Sequence, residues 1–226
     1  VPSLFTFNIR DQRLKDLAGI AVENVIVTLL TNKKNNKNKL QQTGALLITH
    51  WGMSGPAILK LSAWGARILH ENKYQLPLLI NWLPEYNSET LREYFQQFKQ
   101  ENPRKKVISY APVKLPKRLW QNFVNFLGIG EAKNWSELSK KELNNLIQEL
   151  TQGHYQIKGK GVFKEEFVTC GGVNLKEIDF KTMGSKICPG LYFAGEILDI
   201  DGVTGGFNFQ SAWTTSWIAG KQLSNS

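Results

Sequence analysis

Residues able to do chemistry concentrate near the end of the chain, where Glu196, Asp199 and Asp201 share a short stretch with Gly195, Gly202, Gly205 and Gly206. Just upstream, Leu191 to Ala194 is an apolar run of the kind that forms a fully buried strand. Gly195 and Glu196 therefore fall at a strand end, where open α/β sheets bind their ligands. Downstream, Gly205 and Gly206 lead into a helical pattern whose small face is Ala212, Ser216, Gly220 and Leu223. A helix start offers N–H donors and the positive end of a dipole. Glycine there lets the main chain approach a ligand closely, because no Cβ intervenes. A carboxylate such as Glu196 accepts hydrogen bonds from sugar-like hydroxyls. The pattern predicts a cradle for a polyhydroxylated, carbonyl-rich cofactor, formed by Gly195, Glu196, Asp199, Gly205, Gly206, Phe207 and Asn208.

Other chemistries fit these residues less well. Asp199, Asp201 and Gly202 resemble part of a calcium loop, but the remaining ligands and the terminal bidentate Glu are missing, so no metal site is expected. Gly52 to Pro56 approaches the G-x-S-x-G elbow of serine hydrolases, yet Pro56 stands where the second glycine belongs. His50, beside Thr49 in the same block, is the one histidine with company that suggests chemistry; His70 and His154 read as structural or exposed. Cys170 and Cys188 are isolated, without C-x-x-C spacing, and read as buried and reduced, which fits a cytoplasmic protein.

The elements that must position these groups follow from periodicity. Leu4 to Ile9, Val22 to Leu30, Ala45 to Thr49 and Tyr74 to Trp82 read as strands, and Ser54 to Leu69 as a short helical or turn-rich segment begun by Pro56. From Ser88 the period becomes helical. Leu91, Tyr94, Phe95 and Phe98 mark one helix, with Ser88 and Glu89 as capping candidates. Leu119, Trp120, Phe123 and Leu127 mark a second, and Leu143, Leu146, Ile147 and Leu150 a third that ends near Gly153. The aromatic residues of this region, Trp120, Phe123 and Trp135 among them, read as core. Strand character returns at His154 to Ile157 and at Glu166 to Thr169.

At 226 residues, with 42% hydrophobic residues and seven Trp, the chain can bury a substantial core in one or two domains. No apolar run approaches the roughly 20 residues that span a bilayer, so no membrane partner is expected. The net charge of +9 is spread over Lys33 to Lys39, Arg104 to Lys106, and Lys158, Lys160 and Lys164. Dispersed in this way, and with no nucleic-acid module visible, the charge reads as a solvated surface; a nucleic-acid partner is not favoured. Such a surface also attracts anionic cofactors.

Gly190 to Gln210, preceded by Val168 to Val173 and Thr182 to Lys186, resembles the C-terminal flavin-binding segment of the BaiN-like flavoproteins, a family of NAD(P)/FAD-dependent oxidoreductases that includes the aminoacetone-oxidase-like FAD-binding enzymes. Thr43 to Leu59, which holds His50, Gly52 and Ser54, resembles that family's signature in the domain inserted between its two FAD-binding halves. The resemblance implies an α+β chain. Residues 1–165 would be a β-rich inserted domain with a helical subdomain at about 85–153, and residues 166–226 the C-terminal part of an FAD-binding α/β domain. It implies FAD as cofactor, NAD(P)H as reductant and a small organic substrate. Glu196 would face the ribityl–phosphate part of FAD, the main chain of Gly205 to Asn208 the ring, and His50 the substrate side. The G-x-G-x-x-G unit that opens the family is not found: Gly128 and Gly130 are followed by Lys133, and Gly159 and Gly161 by Lys164. The chain thus reads as a fragment that needs an N-terminal FAD-binding half, in cis or in trans, and that alone binds FAD weakly or not at all. The competing expectation is a non-catalytic module that completes an FAD domain with another polypeptide.

Overall fold

The computed structural model describes residues 1–31, 40–161, 168–203 and 205–225. The Lys33–Lys39 loop, Lys164, the start of the Glu166–Thr169 strand and the 165/166 boundary lie outside the described residues.

Two strands, β1 (Pro2–Ser3) and β2 (Phe7–Asn8), occupy the first apolar segment, with Leu4 between them at φ 56°. That turn corrects the single strand expected over Leu4 to Ile9: the positive φ redirects the chain, so its two ends join different sheets. After it come β3 (Ala21–Leu29), β4 (Gln41–Thr49), β5 (Gly52–Ser54), α1 (Pro56–Trp64), α2 (Ala66–Glu71) and β6 (Pro77–Asn81). Next are α3 (Ser88–Glu101), α4 (Lys117–Phe126), α5 (Lys140–Gln152), β7 (Gly153–Gln156) and β8 (Gly159–Lys160). The chain closes with β9 (Val168–Thr169), β10 (Ile178–Asp179), β11 (Gly184–Ser185) and α6 (Phe207–Ser224). The α+β class expected from the sequence is the class observed.

Seven antiparallel strands form one sheet in the order β7-β6-β3-β4-β5-β2-β8. Its two edges are consecutive pieces of one stretch. Ile157 N–H donates to Leu76 C=O on the β6 side at 3.0 Å, and the next residue, Lys158, donates to Asn8 C=O beside β2 at 2.8 Å. The sheet is thereby closed into a barrel, which removes its free edges. A bulge between Val22 and Val25 bends β3 against β4. Val25, Val27 and Leu29 are buried, as are Leu46 and Ile48 across the ladder.

The helices share this core. Trp82, at the end of β6, meets Phe123 of α4 at 5.5 Å and Tyr155 of β7 at 6.0 Å between ring centroids. Trp120 and Trp135 are fully buried, and their indole N–H groups donate to the carbonyls of Val107 and Tyr110. Burial of such rings is worth about 2–3 kcal/mol each. The α3 cap differs from expectation. Asn87 accepts from the N–H groups of Glu89 and Thr90 while Thr90 Oγ1 accepts from the Asn87 N–H, so the capping box starts one residue earlier than Ser88. In α5 the box is Ser139 with Glu142.

A second, smaller core lies in the C-terminal stretch, where Ile178, Met183, Leu198 and Ala219 pack with Val173, Phe193 and Ile218. It meets the barrel unit through antiparallel pairing of β1 with β9, through the Cys170 N–H bond to Val1 C=O, and through an Arg67–Asp199 ion pair. No helix among the described residues is long and apolar enough to cross a membrane.

Candidate functional site

The stretch from Gly195 to Asn208 is held from several sides. Gly195 opens a 3₁₀ turn (Gly195–Ile197) at φ +76°, and its N–H donates to Thr215 Oγ1 on α6 at 3.0 Å. Val173 N–H donates to Ile197 C=O at 2.8 Å, and Asp199 N–H returns a bond to Val173 C=O at 3.1 Å. Gly172 permits this crossing: a Cβ there would stand 2.4 Å from Ile197 O and 2.5 Å from Leu198 C. Asp199 takes two contacts of 3.2 Å from Arg67 of α2. Cys170 and Asp199 beside Arg67 hold its guanidinium above the ordinary arginine range. Asn208 is joined twice to Gly202, accepting from its N–H at 2.7 Å and donating to its C=O at 2.9 Å.

Gly206 caps α6 in the left-handed conformation (φ +82°, ψ 0°), and among the described residues no side chain caps the helix start. The first-turn N–H groups of α6 thus face the loop without a side-chain acceptor. A Cβ on Gly195 or Gly206 would meet nothing within 4 Å, so both glycines border open space. Glu196 is exposed there and has no hydrogen-bond partner among the described residues. This donor set suits an anionic or carbonyl-rich ring with hydroxyls nearby. The structure brings all seven residues of the expected cradle into one loop and helix start. Thr215, Arg67 and Gly172, which brace it, were not anticipated from sequence; only Gly172 had a signal, the Gly171–Gly172 pair.

Three expectations about this stretch need correction. Leu191 to Ala194 is not a buried strand: Leu191 is exposed, and among the described residues the run pairs only through a Tyr192–Gly184 bridge. A buried parallel strand requires neighbours on both sides and covered faces, and this run has neither here. The packed face of α6 is Thr215, Ile218 and Ala219, with Ser211 and Ala212 half-buried beside it; Ser216, Gly220 and Leu223 of the expected small face are exposed. The Gly195–Thr215 bond lies on that face. Cys188 is exposed in a turn after Ser185, whereas Cys170 is buried as expected.

His50 stands elsewhere, exposed in the turn between β4 and β5. No described hydrogen bond or ring contact joins it to the glycine loop. Close approach of β5 to β2 shapes that turn, since a Cβ on Gly52 would lie 2.2 Å from Phe7 O. His50 and Trp51 line a cleft of about 1250 Å³ together with Arg10, Lys15, Arg118 and Lys158.

A buried ionic network supports one wall of that cleft. Arg13 binds Asp11 at 2.6 Å and Glu149 at 2.8 Å, and its guanidinium lies 3.8 Å from the Tyr155 ring centroid. Burial raises Asp11, but hydrogen bonds from the Arg13 side chain and backbone outweigh it and hold the carboxyl below its ordinary value. In deeper Glu149, burial wins over the attraction of Arg13 and pushes the carboxyl up.

The profile described as the HI0933-like protein barrel and H2TH domain matches residues 1–168. The chain belongs to the HI0933-like family. It is 32% identical over 215 residues to the ribosomal RNA dihydrouridine synthase of Escherichia coli (strain K12), covering 94% of this chain and 48% of that protein. To the protein of the same name from Haemophilus influenzae it is 32% identical, covering 97% of this chain and 50% of the relative. To the 3-dehydro-bile acid delta(4,6)-reductase of Clostridium scindens it is 28% identical, covering 98% and 53% respectively. The chain thus spans about half the length of the curated relatives it matches. A flavin-type oxidoreductase family, as the sequence suggested, is the common ground of these HI0933-like proteins.

Proposed function

We propose that this chain is the part of a flavin-dependent reductase that embraces the flavin ring, and that the complete protein uses FAD with NAD(P)H. The observation carrying this reading is the helix start behind Gly205 and Gly206, without a side-chain cap among the described residues and bordered by open space. The chemistry that bound FAD would supply is hydride transfer between NAD(P)H and the substrate carbon, with one proton taken up from solvent to complete saturation. The chain's own part is to bind and orient. The α6 N–H groups would donate to ring carbonyls and Glu196 would accept from ribityl hydroxyls, while the Asn208–Gly202 and Gly195–Thr215 bonds keep the loop in shape. His50 is the candidate for the substrate side.

The relatives' names support a reaction class: saturation of a carbon–carbon double bond conjugated to a carbonyl, as in the uracil ring of uridine or an unsaturated oxo bile acid. For the substrate we favour a uracil base in ribosomal RNA, on two observations: the 32% identical relatives carry that name, and this chain has a net charge of +9. The charge read from sequence as mere solvation would then face the substrate.

The partner we propose is an N-terminal FAD-binding half, in cis or in trans, completing the domain begun by residues 166–226. It would cover Phe209, Trp213 and Trp217, spaced four residues apart on α6 and 70%, 68% and 66% exposed. The same stripe favours the second reading, a non-catalytic module completing another polypeptide's FAD domain. We place the complete protein in the cytoplasm.

The test is to assemble the chain with such a half, load FAD, reduce anaerobically with NAD(P)H, and add ribosomal RNA devoid of dihydrouridine. Return of the oxidised flavin spectrum, with a gain of two hydrogens on a uridine, is expected. Failure to bind flavin contradicts the reductase; flavin that is reduced but answers only to a steroid enone contradicts the RNA substrate.

A further inference from the structure

The cleft beside His50 does not end at its own walls. It shares Lys15, Asp16 and Arg118 with a second cleft of about 520 Å³, and that one shares Gln121, Asn122 and Asn125 with a third of about 570 Å³. Together they make one groove that starts at the barrel rim, crosses α4 and reaches Lys106.

Charge along this groove is net positive. Arg10, Lys15, Lys158, Arg118 and Lys106 are all exposed, and none is ion-paired among the described residues. Three acids also line it: Asp11, Asp16 and Glu131. Asp11 shares buried Arg13 with Glu149 and also feels the Lys158 charge, so the groove lining holds five cations against three carboxylates. Two aromatic rings stand among the cations, Trp51 at 40% and Phe126 at 49% exposure. The groove is also stiff. Arg13 ties the Asp11–Leu14 segment to α5, Arg118 donates to the Asp16 carbonyl, and Asn122 donates to Lys15 C=O at 2.9 Å.

We propose that this groove docks the phosphate backbone of single-stranded RNA, apart from the Gly195–Asn208 loop; the proposal rests on the ribosomal RNA reading above. Spaced cations that lack carboxylate partners attract a polyanion and release its counterions. The exposed parts of Trp51 and Phe126, the latter with Arg13 over one face at 5.0 Å, offer contact to unpaired bases, which a duplex keeps hidden. Neutral amides such as Gln121 and Asn125 suit sugar and phosphate contacts that carry no sequence information. The groove therefore grips flanking nucleotides whatever their sequence, while the reacting base goes to the flavin.

The test uses the 226-residue chain and a fluorescein-labelled, uridine-rich single-stranded RNA, followed by anisotropy across a potassium chloride series. Arg118→Glu with Lys158→Glu should weaken binding at least about tenfold and flatten the salt dependence, each lost phosphate contact removing roughly one unit of slope. Trp51→Ala should weaken binding with the slope unchanged, because stacking releases no counterions. Lys140→Glu with Lys141→Glu, the same charge change on exposed α5, should leave binding nearly intact. Circular dichroism and thermal melts establish that each variant is folded. If the α5 pair weakens binding as much as the groove pair, the attraction is diffuse and the groove is overturned. Wild-type-like binding by the groove variants overturns it too, while leaving an RNA substrate standing. A wild-type chain that binds no RNA overturns the groove and the RNA substrate together, leaving the flavin reading to its own test.

Discussion

Asn208 and Gly202 form a closed pair, the Asn208 amide exchanging both of its hydrogen bonds with the Gly202 main chain at 2.7 and 2.9 Å. The pair fastens the end of the loop to the first turn of α6 and leaves the helix-start N–H groups to other acceptors. Asn208→Ala removes two bonds worth about 1 kcal/mol each. We expect it to lower FAD affinity in the assembled protein while the barrel's thermal transition stays in place; unchanged affinity would show that the clip does not shape the cradle.

The Arg13 network gives a stability prediction. Arg13→Met strands Glu149 in the interior, and breaking such a buried pair costs about 3–5 kcal/mol. Adding Glu149→Gln should recover part of that loss, because the uncompensated charge is gone. Urea unfolding of wild type and both variants measures this, and a double variant no more stable than Arg13→Met contradicts it.

Glu142 carries a pH signature. Hydrogen bonds from Lys133 and Ser139, with the Lys133 charge beside it, lower its carboxyl from 4.5 to about 2. A carboxyl whose folded value is depressed stabilises fully above its unfolded value and loses that contribution as pH falls through the folded one. The stability gap between wild type and Glu142→Gln should therefore be largest above pH 4.5 and close as pH falls towards about 2. Denaturant midpoints at a series of pH values provide the check. A gap that widens on acidification contradicts the assignment.

Sequence pattern revealed the helices well because their apolar periods are long and their ends carry local signals, as at Ser139 and Gly153. It also placed Gly205 and Gly206 at a helix start, a signal local to the chain. It misjudged Leu191 to Ala194, since four apolar residues specify burial only if other strands and helices arrive to cover them. The rotation of α6 depends on what packs against it in the C-terminal core, Ile218 and Ala219 with the Gly195–Thr215 bond beside them, which periodicity does not encode. The basic groove escaped for a similar reason. Arg10, Arg118 and Lys158 are dispersed along the chain and meet only because the barrel closes through Ile157 and Lys158.

The central claim is that the Gly195–Asn208 loop binds FAD, and a flavin titration of the assembled protein tests it most directly. Glu196→Ala should weaken FAD binding by about 1.5–3 kcal/mol, the value of a hydrogen bond to a charged group. Gly206→Val should do at least as much damage. Its φ of +82° disfavours a β-branched residue, and its side chain would fill the space that the ring needs. His50→Ala, in the β4–β5 turn, should bind FAD like wild type. If Glu196→Ala and Gly206→Val retain wild-type affinity while His50→Ala loses it, the flavin does not sit at the start of α6.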